Sequence, residues 1–306
     1  TFTNKAAEEM KERLEKLLDC KGDVMWVSTF HSACARILRK SIDHIGLKNN
    51  FVIYDASDQR YLLKNIINEL NLDEKKFSVR RVQEIISRAK NQLCTPETFA
   101  REASSYYDTK VAEIYHNYQK RLNENNGLDF DDLLMQTVYL FSSAQEILKY
   151  YQEKFKYILV DEYQDTNYAQ YVLIKLLGEK HRRVCVVGDD DQSIYGWRGA
   201  DISNILNFEN DFPEAKIIKL EQNYRSTKNI LRAANEVVKN NRGRKGKTLW
   251  TDNPEGCKVK VFEAFDEKSE AKFLSLEIKH LKEQGIKLGD VAVLYRTNSQ
   301  SRIIEE

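Results

Sequence analysis

Residues 157-YILVDEYQDTN-167 decide how the chain is read. Four apolar or aromatic, β-prone residues run directly into Asp161, Glu162 and Asp165, with no Lys or Arg in the stretch. In open α/β sheets a ligand sits beyond the carboxyl ends of the strands. Asp161 and Glu162 fall at that end of 157–160. A hydrophobic strand delivering Asp-Glu is the pattern of a Walker B site. There the first acid holds Mg²⁺, usually through water, and the second orients and deprotonates an attacking water. For Asp-Glu alone, a solvated acidic turn is the plain rival. The longer string D-E-Y-Q-D-T-N is far more specific.

The next strand-like run, 183-RVCVVG-188, ends in 188-GDDDQSIYGWRGAD-201. Gln192 is neutral and bidentate, suited to sense a γ-phosphate or its attacking water. Tyr195, Trp197 and Arg198 follow at i, i+2 and i+3 on a loop that glycine can flex. Such a set offers faces on which bases stack, at about 1–3 kcal/mol per base. A buried aromatic cluster is the rival, and Arg198 with two glycines so close makes it the poorer one.

Working outward, other β-rich runs are 24-VMWVST-29, 216-KIIKL-220, 258-KVKVF-262 and 290-DVAVLY-295. Most are bounded by amphipathic segments such as Ala6, Ala7, Met10, Leu14 and Leu17, whose spacing gives one helical face. Apolar strands alternating with helices indicate a parallel α/β sheet covered on both sides. Residues 52–125 break the rhythm. They read as helices over Gln59–Leu70, Val79–Leu93 and Asp108–Asn123 with no strand between, a helical insertion in an α/β domain. A second boundary falls near 222-QNYRST-227, after which strands and helices start again with their own core. The loop 241-NRGRKGKTLWTDNPEG-256 is basic, then polar, and expected to be exposed.

The 306 residues allow one large or two to three ordinary domains. A net charge of +1 does not exclude nucleic acid, because binding depends on local basic faces. The five cysteines (Cys20, Cys34, Cys94, Cys185, Cys257) show no C-x-x-C pair. This argues against zinc and a disulfide scaffold and for a reducing, cytoplasmic setting. No apolar run approaches the roughly 20 residues that span a bilayer, so no membrane partner is expected. The chain starts at Thr1 without Met or a signal-peptide pattern, and it reads as the interior of a longer protein.

Together with 1-TFTNKAAEEM-10, 28-STFHSACARIL-38, 128-LDFDDL-133, 221-EQNYRST-227 and 291-VAVLYRTNSQSR-302, these strings resemble the UvrD/Rep family of superfamily 1 DNA helicases, most of all its PcrA branch. The resemblance runs the length of the chain. It implies an α/β fold with a RecA-like parallel sheet of the P-loop NTPase type, an all-helical insertion and the start of a second RecA-like domain. Domain 1A would comprise 1–51 and 126–224, the inserted 1B 52–125, and 2A would begin at 225 and run to 306. The implied activity is ATP-dependent 3′→5′ translocation and unwinding of DNA in repair or replication, with ATP and Mg²⁺ as cofactors. Single-stranded DNA and single/double-strand junctions are the implied partners.

Carried over by motif, Asp161 is the Mg²⁺ ligand and Glu162 the catalytic base, while Gln192 couples the γ-phosphate to DNA. Tyr224 stacks on adenine, and Arg225 clamps the γ-phosphate, a task that suits a guanidinium because it stays charged and bonds phosphate oxygens in pairs. The DNA side is Phe2, Thr3, Asn4, His31, Phe130, Tyr195, Trp197 and Arg198, binding without strong sequence preference. For His31 a satisfied polar residue near a helix start stays open, as does a hydrophobic plug for Phe130.

The family's P-loop, G-x-x-x-x-G-K-T, belongs upstream of Thr1. The G-K-T within 243-GRKGKT-248 is a decoy: the first glycine's place is taken by Asn241, and no buried strand precedes it. Without P-loop amides and lysine, the 306 residues alone are expected to bind Mg-ATP poorly and hydrolyse it hardly at all. A missing P-loop strand would leave sheet edges that favour self-association. Two alternatives are a non-hydrolysing single-stranded DNA-binding module and the helicase subunit of an AddA- or RecB-like nuclease complex.

Overall fold

Apolar residues three and four apart wind most of the chain into helix. The computed structural model describes residues 1–18, 25–241 and 245–306, a mixed α/β and mainly helical protein. It divides into two compact units, Thr1–Lys219 with 241–246, and Leu220–Asn240 with Lys247–Glu306.

The first unit opens with α1 (Asn4–Leu18) and α2 (Phe30–Ser41). A strand, β1 (Val52–Tyr54), then leads into α3 (Ala56–Glu69), α4 (Val79–Asn91), α5 (Pro96–Glu102) and α6 (Tyr106–Glu124). The chain returns as β2 (Gly127–Asp129), parallel to β1, with Val52 opposite Gly127. α7 (Phe130–Ser143), α8 (Gln145–Lys154), β3 (Ile158–Val160), α9 (Tyr168–Gly178) and β4 (Val184–Val186) follow. Two short helices, α10 (Ser203–Leu206) and α11 (Phe208–Asp211), close it.

The unit holds two separate cores. One gathers Cys34, Ile37, Leu38, Leu134, Phe141, Tyr151 and Leu173 from α2, α7, α8 and α9. The other belongs to the inserted helices and is built from Leu63, Ile66, Ile67, Val82, Ile86, Val111, Tyr115 and Leu122. Burying a large apolar side chain contributes about 1.5–3 kcal/mol, so each set is the main favourable term holding its helices against the entropy of ordering them.

The second unit contains α12 (Lys228–Val238), α13 (Glu267–Glu283) and α14 (Asn298–Glu305). A single parallel bridge joins Gln222 and Trp250. Phe262 stacks on Phe273 with ring centroids 4.0 Å apart, and Leu231 is buried.

The expected strands at 157–160 and 183–188 form as β3 and β4, and the helices expected in the insertion form as α3, α4 and α6. α4 stops at Asn91 because Leu93 turns into the left-handed region (φ 57°), while the Cys94 N–H donates back to the Ala89 carbonyl.

Three expectations are corrected. Residues 25–29, 216–220, 258–262 and 290–295 form no strand; Val24 lies outside the described residues. β-prone residues make a strand only where a ladder partner is in register, and Ile218, Val261 and Leu294 instead lie exposed. Residues 52–54, assigned to an all-helical insertion, are β1, paired with β2 rather than packed as helix. Finally, the sheet is neither continuous nor covered on both faces. β1–β2 and β3–β4 are separate parallel pairs. Alternation turns Ile158 and Val160 toward the core and leaves Leu159 76% exposed beside its exposed register partner Cys185. A cavity of about 420 Å³ opens at that face.

Candidate functional site

The register of β3 on β4 brings the acids to the aromatic loop. Val160 lies opposite Val186; the Val187 N–H donates to the Val160 carbonyl (2.8 Å), and the Tyr163 N–H donates to the Val187 carbonyl (2.9 Å). Two parallel strands so paired end at the same edge. Asp161 and Glu162 therefore leave the sheet beside Asp189–Gln192. Glu162 sits at φ +54°, a left-handed conformation that costs a non-glycine residue about 1–2 kcal/mol, and its side chain is exposed. The Glu162 N–H donates to Asp161 Oδ1 at 3.0 Å.

Beneath this edge lies Gln164, 1% exposed. Its Nε2 donates to Glu162 Oε2 (2.8 Å) and more weakly to Asp165 Oδ2 (3.4 Å). Its Oε1 accepts from the Asp189 N–H (3.1 Å), and its backbone carbonyl accepts from Ser193 Oγ (3.3 Å). One buried amide thus ties the catalytic-acid candidate to the loop that carries Gln192. At Gly188 a Cβ would stand 2.5 Å from Gln164 Oε1 and 2.8 Å from Ile205 Cδ1, so any larger residue would have to displace the bridging amide. Gln192 is exposed and its Nε2 donates to Asp189 Oδ2 (2.6 Å), which links it to Glu162 by way of Asp189 and Gln164. Burial, then the charge of Glu162, raises the Asp165 carboxyl above its ordinary value, opposed by hydrogen bonds from Gln164 and from the N–H groups of Ile194 and Tyr195. The oxygen donors of Asp161 and Glu162 are hard carboxylates, a set that suits Mg²⁺.

Tyr224 and Arg225 lie in the second unit. Asn223 Oδ1 accepts from the N–H groups of Arg225 (3.0 Å) and Ser226 (2.7 Å), a local turn that leaves both side chains exposed. The Tyr224 hydroxyl donates to Gln222 Oε1 (2.8 Å).

The candidates for a nucleic-acid face lie in the first unit as two groups, residues 2–4 with His31 and Phe130, and Tyr195 with Trp197 and Arg198. Thr3 Oγ1 accepts from the Ala6 N–H (3.1 Å) and starts α1, with Asn4 exposed beside it. The Phe2 ring meets Phe30 edge-on at 5.8 Å, so Phe2 is half committed to the core. His31, next to Phe30, meets Phe130 edge-on at 6.0 Å and 83°. Burial lowers the His31 pKa, which favours the neutral imidazole. Phe130 is 47% exposed, which rules out a fully buried plug. The Arg198 guanidinium lies 4.5 Å from the Trp197 ring centroid and 5.1 Å from that of Tyr195. With Trp197 72% exposed, the cluster is a surface platform and not a core. Gly199, at φ +89°, ends that turn beside the Cβ of Asn91.

The basic loop behaves as surface. Lys245 Nζ pairs with Glu209 (2.7 Å) and its N–H donates to Asp190 (2.7 Å); Arg242, Gly243 and Arg244 lie outside the described residues.

Two features escape sequence reasoning. Gln164 stands inside the opening string, but nothing in its spacing shows that its amide faces Asp189, 25 residues on. Lys90 lies fully buried between Asp129 and Asp132, at 2.7 and 2.8 Å, and no local pattern marks it.

The UvrD/REP helicase N-terminal domain matches residues 1–213, and the UvrD-like helicase C-terminal domain matches 218–306. Among curated proteins, the chain is 57% identical over 307 residues to the ATP-dependent DNA helicase PcrA of Bacillus subtilis (strain 168). It is 56% identical to the protein of that name from Staphylococcus aureus (strain Mu50 / ATCC 700699), and 55% identical to that of Staphylococcus epidermidis. All of this chain is covered in each case, and it spans 42% of the length of each relative.

Proposed function

The chain belongs to the UvrD/REP helicase family, and from that premise we propose that it is part of an ATP-driven 3′→5′ translocase that unwinds DNA. The observation that carries this reading is the shared edge of β3 and β4, where Glu162 and the loop bearing Tyr195, Trp197 and Arg198 hang on one buried amide, Gln164. In this reading RecA-like domain 1A consists of 1–51 and 126–224, the insertion 1B of 52–125, and 2A starts at 225.

Asp161 would hold Mg²⁺, which when bound neutralises developing phosphate charge and orients the nucleotide. Glu162 takes the proton of the attacking water. Its bond from Gln164 fixes one carboxylate oxygen and leaves the other free to accept that proton. Gln192 reports the phosphate state to the loop through Asp189, Arg225 supplies the cation that meets the γ-phosphate, and Tyr224 stacks on adenine. Phe2, Thr3, Asn4, His31, Phe130, Tyr195, Trp197 and Arg198 carry single-stranded DNA by stacking and backbone contacts.

Strand displacement by the full-length protein tests the polarity and the activity together. A duplex with a 3′ single-stranded tail should be unwound in the presence of Mg-ATP, and one with only a 5′ tail should not. Equal unwinding of both, or of neither, contradicts the proposal.

A further inference from the structure

Phe130 owes its position to a charge cluster in which the insertion takes part. It is the first residue of α7, whose start is fixed by a reciprocal cap: the Asp132 N–H donates to Asp129 Oδ1 (2.8 Å) and the Asp129 N–H donates to Asp132 Oδ2 (3.2 Å). Two buried carboxylates on one turn repel each other and need a cation. That cation comes from α4, in the other core. Lys90 is 0% exposed, its ammonium pairs with both Asp129 and Asp132, and Tyr118 of α6 donates its hydroxyl to Asp129 Oδ2 (2.9 Å).

Adjacent Asn91 extends the tie. Its Nδ2 donates to Asp131 Oδ1 (3.2 Å), and its Oδ1 accepts from Asn167 Nδ2 (2.5 Å), the last residue of the D-E-Y-Q-D-T-N string. α4 packs on both α7 and α9. The insertion is thus anchored beneath the Phe130–His31 pair by this polar cluster, with one buried ammonium at its centre.

We propose that Lys90 is a positioning residue for single-stranded DNA: by clamping Asp129 and Asp132 it fixes the first turn of α7 and holds Phe130 edge-on to His31 in the geometry that receives a base. This rests on the reading that Phe130 faces DNA. Lys90 itself, fully buried, touches no nucleic acid. It acts through Phe130 alone, so its effect on DNA must vanish once the Phe130 ring is gone.

The test is a double-mutant cycle in the full-length protein, reading the Kd of a fluorescent oligothymidylate by anisotropy. Phe130→Ala should weaken binding about tenfold, and Lys90→Met by a similar factor. The double variant should be no weaker than Phe130→Ala alone. Tyr118→Phe keeps the ammonium and removes one hydrogen bond to Asp129, so it carries the same test if Lys90→Met does not fold. It should weaken binding about threefold in the parent and not at all beside Phe130→Ala. Hydrolysis at saturating DNA and the KM for ATP should stay unchanged in Tyr118→Phe. Losses that multiply with Phe130→Ala would show a merely structural role and overturn the inference about Lys90. An unchanged Kd in Phe130→Ala alone would remove Phe130 from the DNA face, and the proposal with it.

Discussion

Two polar constellations in the first unit follow opposite rules. At the edge of β3 and β4, Glu162 and Gln192 are exposed and Asp161 is half-buried, so their charge and hydrogen-bonding capacity remain open to a ligand. At the start of α7, Lys90, Asp129 and Asp132 are closed to water and paired by charge, the ammonium lying between the two carboxylates. A site that does chemistry must leave groups available. A site that positions another must leave none, because an unpaired buried charge costs more than the pair contributes. Removing a group from the first should cost turnover and spare the fold. Removing one from the second should do the reverse.

The largest effect falls at the open site. Asp161→Asn should lower DNA-stimulated hydrolysis about 10³-fold, the equivalent of several kcal/mol of transition-state stabilisation. Its unfolding free energy should move by less than about 0.5 kcal/mol. A large loss of stability in urea titration would erase the contrast. At the closed site Lys90→Met should cost about 3–5 kcal/mol of stability, because it strands two carboxylates without a cation. A shift below about 1 kcal/mol would mean that the cluster relaxes by protonation or by admitting water. The exposed platform lies between these extremes. Trp197→Ala should weaken oligothymidylate binding by about 1–3 kcal/mol and leave the urea midpoint in place; unchanged binding would show that the ring stacks on no base.

The smallest effect is on pH dependence. Burial, then the charge of Asp129, raises the Asp131 carboxyl, while Ser87 and Lys90 of α4 pull it down and Asp132 adds to the rise. Asp132, buried beside Asp129, is raised in the same way. A carboxyl raised in the folded state holds its proton there after the unfolded chain has lost it. Its contribution to stability therefore falls as pH climbs from the ordinary carboxyl value of 3.8 toward neutrality. Asp131→Asn removes that slope and keeps an oxygen for Asn91. Its stability relative to the parent should rise by about 1 kcal/mol between about pH 5 and pH 7.5. A constant difference across that range would contradict the cause assigned here.

The same contrast explains what could be read in advance. The elements of the open site were legible because each is local in sequence: a strand run ending in two acids, and a second strand run ending in an aromatic turn. The helices α3, α4 and α6 were legible for the same reason, their apolar spacing being local. The closed site was not, since Lys90 meets Asp129 39 residues later and Asn91 meets Asn167 76 residues later. Pairing at that range depends on which helices pack, which no local pattern records. The missed β1 has the same origin. Val52, Ile53 and Tyr54 become a strand only because 127–129 return beside them. In the opposite direction, 258–262 and 290–295 have the composition of strands and no partner in register, and form none.

The most direct measurement compares Glu162→Gln with the parent in the full-length protein, reading ATP hydrolysis and oligothymidylate affinity on the same preparation. Hydrolysis should fall at least about a hundredfold, with the Kd for DNA unchanged within about twofold. Turnover that survives the substitution would contradict the assignment of the acids after β3 as the seat of the chemistry.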